Sequence, residues 1–130
     1  MNSFTLEGTS KTPRVEFNSQ TGVLELSGRS IPENSIEFYR PLLQWLEEYA
    51  SCPQSETVLI LRMEYFNTSS SKCLIDIFRK LEKIHLHGVN VYVKWYYEQE
   101  DEDMQHSGED FREIIRLPIQ MIELQEESSK

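Results

Sequence analysis

The 130-residue sequence predicts an α/β fold: a single domain with a mixed β-sheet, an N-terminal hairpin and about three helices. Three observations carry this. Two segments of strict period-two alternation flank a turn-rich pentapeptide near the N-terminus. Stripes of apolar residues at helical spacing follow. One of those stripes lies between two strand-like runs, which makes a parallel crossover unit.

In chain order, Phe4-Thr5-Leu6 reads as a short edge strand and Gly8 to Pro13 as a loop. Arg14-Val15-Glu16-Phe17 and Val23-Leu24-Glu25-Leu26-Ser27 alternate around Asn18-Ser19-Gln20-Thr21-Gly22, which is hairpin-turn chemistry. Val15, Phe17, Leu24 and Leu26 are the expected inward set, with Glu16 and Glu25 toward solvent. Gly28 to Ser35 breaks the strand pattern, and Asn34 followed three residues later by Glu37 resembles a capping box. The helix it opens places Tyr39, Leu42, Leu43, Leu46, Tyr49 and Ala50 on one face. Pro41 is discordant there, so either the helix kinks or its regular part begins near Tyr39.

Thr57 to Met63 is apolar on consecutive residues, the pattern of a strand buried on both faces. Leu74, Ile77, Phe78, Leu81 and Ile84 form the next helical stripe, which ends at Gly88, and Lys80, Lys83, His85 and His87 complement its C-terminal dipole. Val89, Val91, Val93 and Trp95 alternate with polar or aromatic neighbours as a further strand. Glu98 to Asp103 reads as a mobile acidic loop and His106 as a loop residue. Ser107 or Gly108 opens a short helix through Phe111, Ile114 and Ile115, and Ile119 to Leu124 is the last strand. The domain is expected to span 1–126, with 127–130 as a frayed tail.

Composition narrows the function. Thirteen basic against twenty-two acidic side chains give a net charge of -9, which repels nucleic-acid phosphates and anionic headgroups and leaves proteins as the expected partners. Cys52 and Cys73 show neither disulfide-framework nor zinc spacing, so a reduced, cytoplasmic protein is the simpler reading. No signal peptide or membrane-spanning window is visible. The acidic run lacks the glycine and ligand alternation of a calcium loop, and His85 and His87 lack i, i+4 metal spacing. There is no serine elbow, and five scattered glycines make no phosphate loop. No catalytic residue, metal or cofactor is therefore expected. Tyr39, Trp45, Tyr49, Tyr92, Trp95, Tyr96 and Tyr97 are numerous for a small domain. Most are expected in the core or at its edge, but Trp45 lies off the main stripe and Tyr92, Tyr96 and Tyr97 include both strand faces, so some of these are expected to be partly exposed as interface anchors.

The stretch Tyr65-Phe66-Asn67-Thr68-Ser69-Ser70-Ser71-Lys72 stands between the central strand and the second helix. Four consecutive hydroxyls supply more caps than one helix end uses. Two readings stay open on local chemistry: Asn67, Thr68 or Ser69 caps the helix and the rest face water, or one hydroxyl is a phosphoacceptor at the positive end of the helix. An enzyme of another class, acting on a nucleotide through hydroxyls 68–71, is the alternative.

This junction is similar in plan to the anti-sigma-factor antagonists of the STAS (SpoIIAA-like) fold, whose phosphoacceptor sits where a strand meets a helix. Asn67 stands where those proteins often carry an acidic residue. More specifically, the chain resembles the SiaC family of bacterial biofilm-regulating phosphoproteins. The motifs are Phe4-Thr5-Leu6-Glu7-Gly8-Thr9 with Thr12-Pro13, Gly28-Arg29-Ser30-Ile31-Pro32-Glu33-Asn34-Ser35, and the stretch from Tyr65 to Lys72. The resemblance implies a partner switch phosphorylated on Thr68 by a SiaB-type kinase and dephosphorylated by a PPM-type (SiaA-type) phosphatase. The unphosphorylated form would bind and activate a SiaD-type diguanylate cyclase, raising cyclic di-GMP and favouring biofilm. Asn67, Thr68, Ser69, Ser70, Arg29, Ser30, Glu33 and Asn34 are the expected partner-binding residues. Gly28 to Ser35 is expected at the same edge as Thr68, because strand ends and helix starts cluster there.

Overall fold

The computed structural model describes residues 1–125; the expected frayed tail lies outside them. The elements are β1 (Phe4–Leu6), β2 (Arg14–Phe17), β3 (Val23–Ser30), α1 (Ser35–Tyr49), β4 (Glu56–Phe66), α2 (Thr68–Leu86), β5 (Asn90–Glu98), α3 (Glu102–Ile114) and β6 (Ile119–Leu124). The six strands form one mixed sheet in sequential order. The β1-β2 and β2-β3 pairs are antiparallel, and β3-β4, β4-β5 and β5-β6 are parallel.

Each parallel pair is joined by one helix. When successive crossovers of one hand step in one direction along a sheet, every helix lands on the same face. The packing shows this. Phe17, Leu24, Leu59, Val93 and Ile119 are successive register partners across β2 to β6, so they share one side. On it, Trp45 of α1 meets Phe17 at 5.3 Å between ring centroids. Phe111 of α3 meets Trp95 at 5.5 Å and Phe78 of α2 at 5.1 Å. The apolar core is this single layer between the sheet and three helices.

Several expectations are corrected. Helices cover β4 on one face only; on the other, Val58 and Ile60 are shielded by flanking side chains of β3 and β5, their register partners. The consecutive apolar run therefore reflects a central position in the sheet rather than two covering layers. β3 continues through Ser30 instead of ending at Gly28, and β4 continues to Phe66. A register shift between Gly28 and Arg29, at a glycine with φ of 103°, breaks the period-two pattern without ending the strand.

The first helix starts at Ser35, four residues before Tyr39. Pro41 is tolerated because it sits on the exposed side, where water can hydrate the carbonyl its missing N–H leaves free. The capping box is half made. Asn34 Oδ1 accepts from Glu37 N at 3.1 Å, while the Glu37 carboxylate pairs with Arg40 at 2.7 Å. Trp45 is buried, stacked 5.0 Å from Tyr49, and its Nε1 donates to Asn2 O at 2.9 Å. The N-terminal segment supplies the partner that makes burial of an indole affordable. Tyr39, Tyr49 and Trp95 are core residues, and Tyr92, Tyr96 and Tyr97 are half-buried.

The acidic run is not a loop beyond Asp101, and the helix after it does not wait for Ser107. Asp101 caps α3, accepting from Met104 N at 3.0 Å, and Glu102 and Asp103 occupy the first turn. Negative charge at the positive end of a helix is favourable, so a run that reads as a solvated loop is a helix start. His106 accordingly lies within that helix.

Candidate functional site

The C-terminal ends of β3 and β4 and the N-terminal ends of α1 and α2 meet at one edge of the sheet. Asn67 N donates to Ser30 O at 3.1 Å, which ties the two strand ends together. Asn67 is the cap of α2: its Oδ1 accepts from Ser70 N at 2.9 Å and its carbonyl from Ser71 N at 2.9 Å. The two cap contacts use Ser70 and Ser71. The backbone N–H groups of Thr68 and Ser69 are left without an acceptor among the described residues, as the first turn of a helix must leave them unless a cap or ligand intervenes.

Beneath this edge lies a hydroxyl network. Ser70 is fully buried; its Oγ lies 2.8 Å from Ser30 Oγ, 3.4 Å from Ser35 Oγ and 3.1 Å from Ser30 O, to which it donates. Ser30 Oγ in turn lies 2.7 Å from Tyr39 Oη. Burial pushes the Tyr39 phenol up to about 12, since ionisation would place a charge in the core. Ser35 Oγ reaches outward to Ser69 Oγ at 2.7 Å, and Ser69 donates to Asn67 Oδ1 at 3.2 Å. The network runs from the core tyrosine to the surface, and every buried side-chain polar atom among the described residues has a partner.

The four hydroxyls of the run are therefore unlike one another. Ser70 is buried and bonded, Ser69 is exposed but bonded, and Ser71 is half-buried. Thr68 is exposed and its hydroxyl makes no hydrogen bond among the described residues. The surplus of caps that the sequence shows is resolved by geometry: Asn67 caps, Ser70 and Ser69 brace the helix against β3 and α1, and Thr68 stands free.

The expected partner-binding residues divide likewise. Asn67, Ser69 and Asn34 join Thr68 at the edge. Glu33 lies exposed in the loop before Asn34. Ser30 and Ser70 are buried and act on this surface only by positioning what surrounds them. Arg29 alternates with Ser30 and so projects from the sheet face away from the helices, its guanidinium 5.8 Å from the centre of the Tyr65 ring. Two further members of the network are Ser35, expected at this edge but not as a bonding partner of the hydroxyl run, and Tyr39, expected only as a core aromatic. The spacing of Ser35 one residue after a capping Asn was the available signal for the first; nothing local marks the second. Tyr65, 49% exposed, is the aromatic that the surface offers here.

Among the described residues no group of three His, Cys, Asp or Glu side chains could hold a metal ion, and no helix is long and apolar enough to cross a membrane.

Comparison with known proteins places this edge in context. The sequence model of the family described as SiaC family regulatory phosphoprotein matches residues 6–124. An uncharacterized protein of Pseudomonas aeruginosa (strain UCBPP-PA14) is 36% identical over 119 residues, which cover 92% of this chain and 94% of the relative. The structure of SiaC of Pseudomonas aeruginosa superposes with a TM-score of 0.87 at 33% identity, covering 95% of this chain and 100% of that one. A chain in the crystal structure of the diguanylate cyclase SiaD in complex with its activator SiaC, from the same organism, gives a TM-score of 0.87 at 34% identity, with 93% of this chain and 99% of that one covered.

Proposed function

The chain belongs to the SiaC family of regulatory phosphoproteins, and from that membership we propose that it is a cytoplasmic partner switch without chemistry of its own, controlled by phosphorylation of Thr68. Unphosphorylated, it binds and activates a SiaD-type diguanylate cyclase and so raises cyclic di-GMP. A SiaB-type kinase closes the switch and a SiaA-type phosphatase of the PPM class reopens it. The relative whose structure was solved with SiaD, as that cyclase's activator, supports the cyclase as partner.

The observation that carries the reading is the isolation of Thr68 among its neighbours: exposed, unbonded, and placed beside two backbone N–H groups without acceptors. A kinase would transfer the γ-phosphoryl of ATP to Thr68 Oγ1, with loss of the hydroxyl proton and departure of ADP. The resulting dianion finds donors at the helix start, so the fold tolerates it. A partner packed over the bare hydroxyl instead meets bulk and a charge that must be desolvated. A difference of about 1–3 kcal/mol between the two forms is the usual size of such coupling. Asn67, Ser69, Asn34, Glu33 and Arg29 complete the contact surface in this reading, and Ser30 and Ser70 hold it in shape.

Intact-mass analysis after incubation with the cognate kinase and ATP should show one added phosphate, on a peptide containing Thr68. Calorimetric titration of the cyclase should then show binding to the unmodified protein and loss of it after phosphorylation. Equal affinity of the two forms overturns the switch, and turnover of nucleotide by the isolated chain would replace it with an enzyme.

A further inference from the structure

We propose that the groove between α1 and α2 is a second contact for the same diguanylate cyclase, seating apolar side chains of that partner against Ile36 and Leu43. The proposal rests on the reading above and adds an apolar anchor to its polar switch. The groove, about 260 Å3, is lined by Ile36, Arg40, Leu43, Gln44, Glu47 and Lys80. Arg40, Leu43, Gln44 and Glu47 fall four, seven, eight and eleven residues along α1 from Ile36, which puts all five on one stripe. Ile36 is 68% exposed, so its side chain is open to contact at the end of this stripe.

Position and charge both point to the cyclase as occupant. Ile36 follows Ser35, whose hydroxyl lies 2.7 Å from that of Ser69, the neighbour of Thr68. The groove therefore opens at the switch, and a partner that reads Thr68 is already at its mouth. The two cations at the groove are matched within the chain: Arg40 pairs with Glu37 at 2.7 Å and Lys80 with Glu47 at 2.9 Å. The Lys80 ammonium holds the Glu47 carboxyl below its ordinary range. With these charges paired within the chain, Ile36 and Leu43 are the groove's contacts for an apolar side chain of the partner. An apolar contact bordering Thr68 also accounts for the leverage of one phosphate, because burying the groove would require stripping water from the dianion beside it.

The test is a titration of cyclase into the full chain and three variants, Ile36→Asp, Thr68→Glu and Leu86→Asp. Leu86, 79% exposed, lies at the opposite end of α2 and serves as the control. Ile36 sits in the first turn of α1, where an acidic residue suits the helix dipole, so circular dichroism should show an unchanged fold; Ile36→Ser repeats the test if it does not. Ile36→Asp is expected to weaken cyclase binding about thirtyfold or more, as loss of an anchor does, with Leu86→Asp indistinguishable from the parent. Unchanged affinity for Ile36→Asp, alongside lost binding for Thr68→Glu, overturns the groove and leaves the switch standing. Lost binding for Ile36→Asp with unchanged affinity for Thr68→Glu does the reverse. A parent chain that is dimeric, and that Ile36→Asp makes monomeric without changing cyclase affinity, would assign the groove to a second copy and overturn the proposal.

Discussion

Ser30 Oγ lies 2.8 Å from Ser70 Oγ, joining the last residue of β3 to the first turn of α2 across 40 positions of sequence. Both residues are fully buried. The contact fixes the start of the second helix against the end of a strand, and with it the orientation of Thr68, two residues earlier.

Replacing Ser30 with Ala removes the hydroxyl that lies against both Tyr39 and Ser70. A buried phenol left without its partner costs about 1–3 kcal/mol. Urea unfolding should show a midpoint lowered accordingly with an unchanged slope. A change within about 0.3 kcal/mol would mean that the network is not holding this edge.

Tyr39 gives the protein a pH dependence at the alkaline end. Its ordinary value is 10.0 and burial raises it to about 12 in the fold. Between those values the unfolded chain loses the proton that the folded chain keeps, so fewer protons are bound in the unfolded state and stability falls as pH rises. This contribution is intact below pH 10 and declines by on the order of 2–3 kcal/mol by pH 12. Thermal melts of Tyr39→Phe should decline less steeply over that window than the parent; parallel curves would show that other groups govern it.

Asn67→Ala should cost about 0.5–2 kcal/mol, the usual value of a helix cap, because Ser70 N loses its acceptor. The same change releases Ser69 from Asn67 Oδ1. Phosphopeptide mapping of this variant is expected to show a second, minor acceptor at Ser69, where the parent shows Thr68 alone. Modification confined to Thr68 in the variant would mean that the kinase, rather than the hydroxyl network, chooses the residue.

Gly108 is held by close approach. A Cβ there would sit 2.7 Å from Trp95 Cδ1 and Nε1 and 2.8 Å from Met121 Cε, and Trp95 Nε1 donates to Met104 O at 2.9 Å. Gly108→Ala is expected to destabilise by about 1–3 kcal/mol through overpacking and to shift tryptophan emission. A melt and spectrum identical to the parent would show that α3 has room to move outward.

Much of this fold is legible because its strands and helices obey their own periods. Val15 and Phe17 face Leu24 and Leu26 as alternation requires, and the stripe from Leu74 to Ile84 is buried along its length. What escaped reading were positions where two local rules compete. The acidic residues from Glu98 to Asp103 satisfy both a solvated loop and a helix start, and the Asp101 cap decides for the helix. Gly28 looks like a strand break until its neighbour strand shows the register shift that carries pairing through to Ser30. Trp45 falls on the buried face of α1 with Leu42, Leu46 and Tyr49, and only the return of the N-terminal segment supplies Asn2 O to its indole.

The sequence by itself determined the α/β order, the crossover between β4 and β5, and the presence of a hydroxyl run at a helix start. These follow from interactions between residues close in the chain. Tertiary structure alone decided that all three helices share one face of the sheet. It also decided that Ser70 turns inward to Ser30, that Ser69 is held by Ser35, and that Thr68 is left exposed. The physical reason is that four adjacent hydroxyls are chemically alike, and they become different only when residues 34 and 40 positions away arrive to bond with some of them and not with the others.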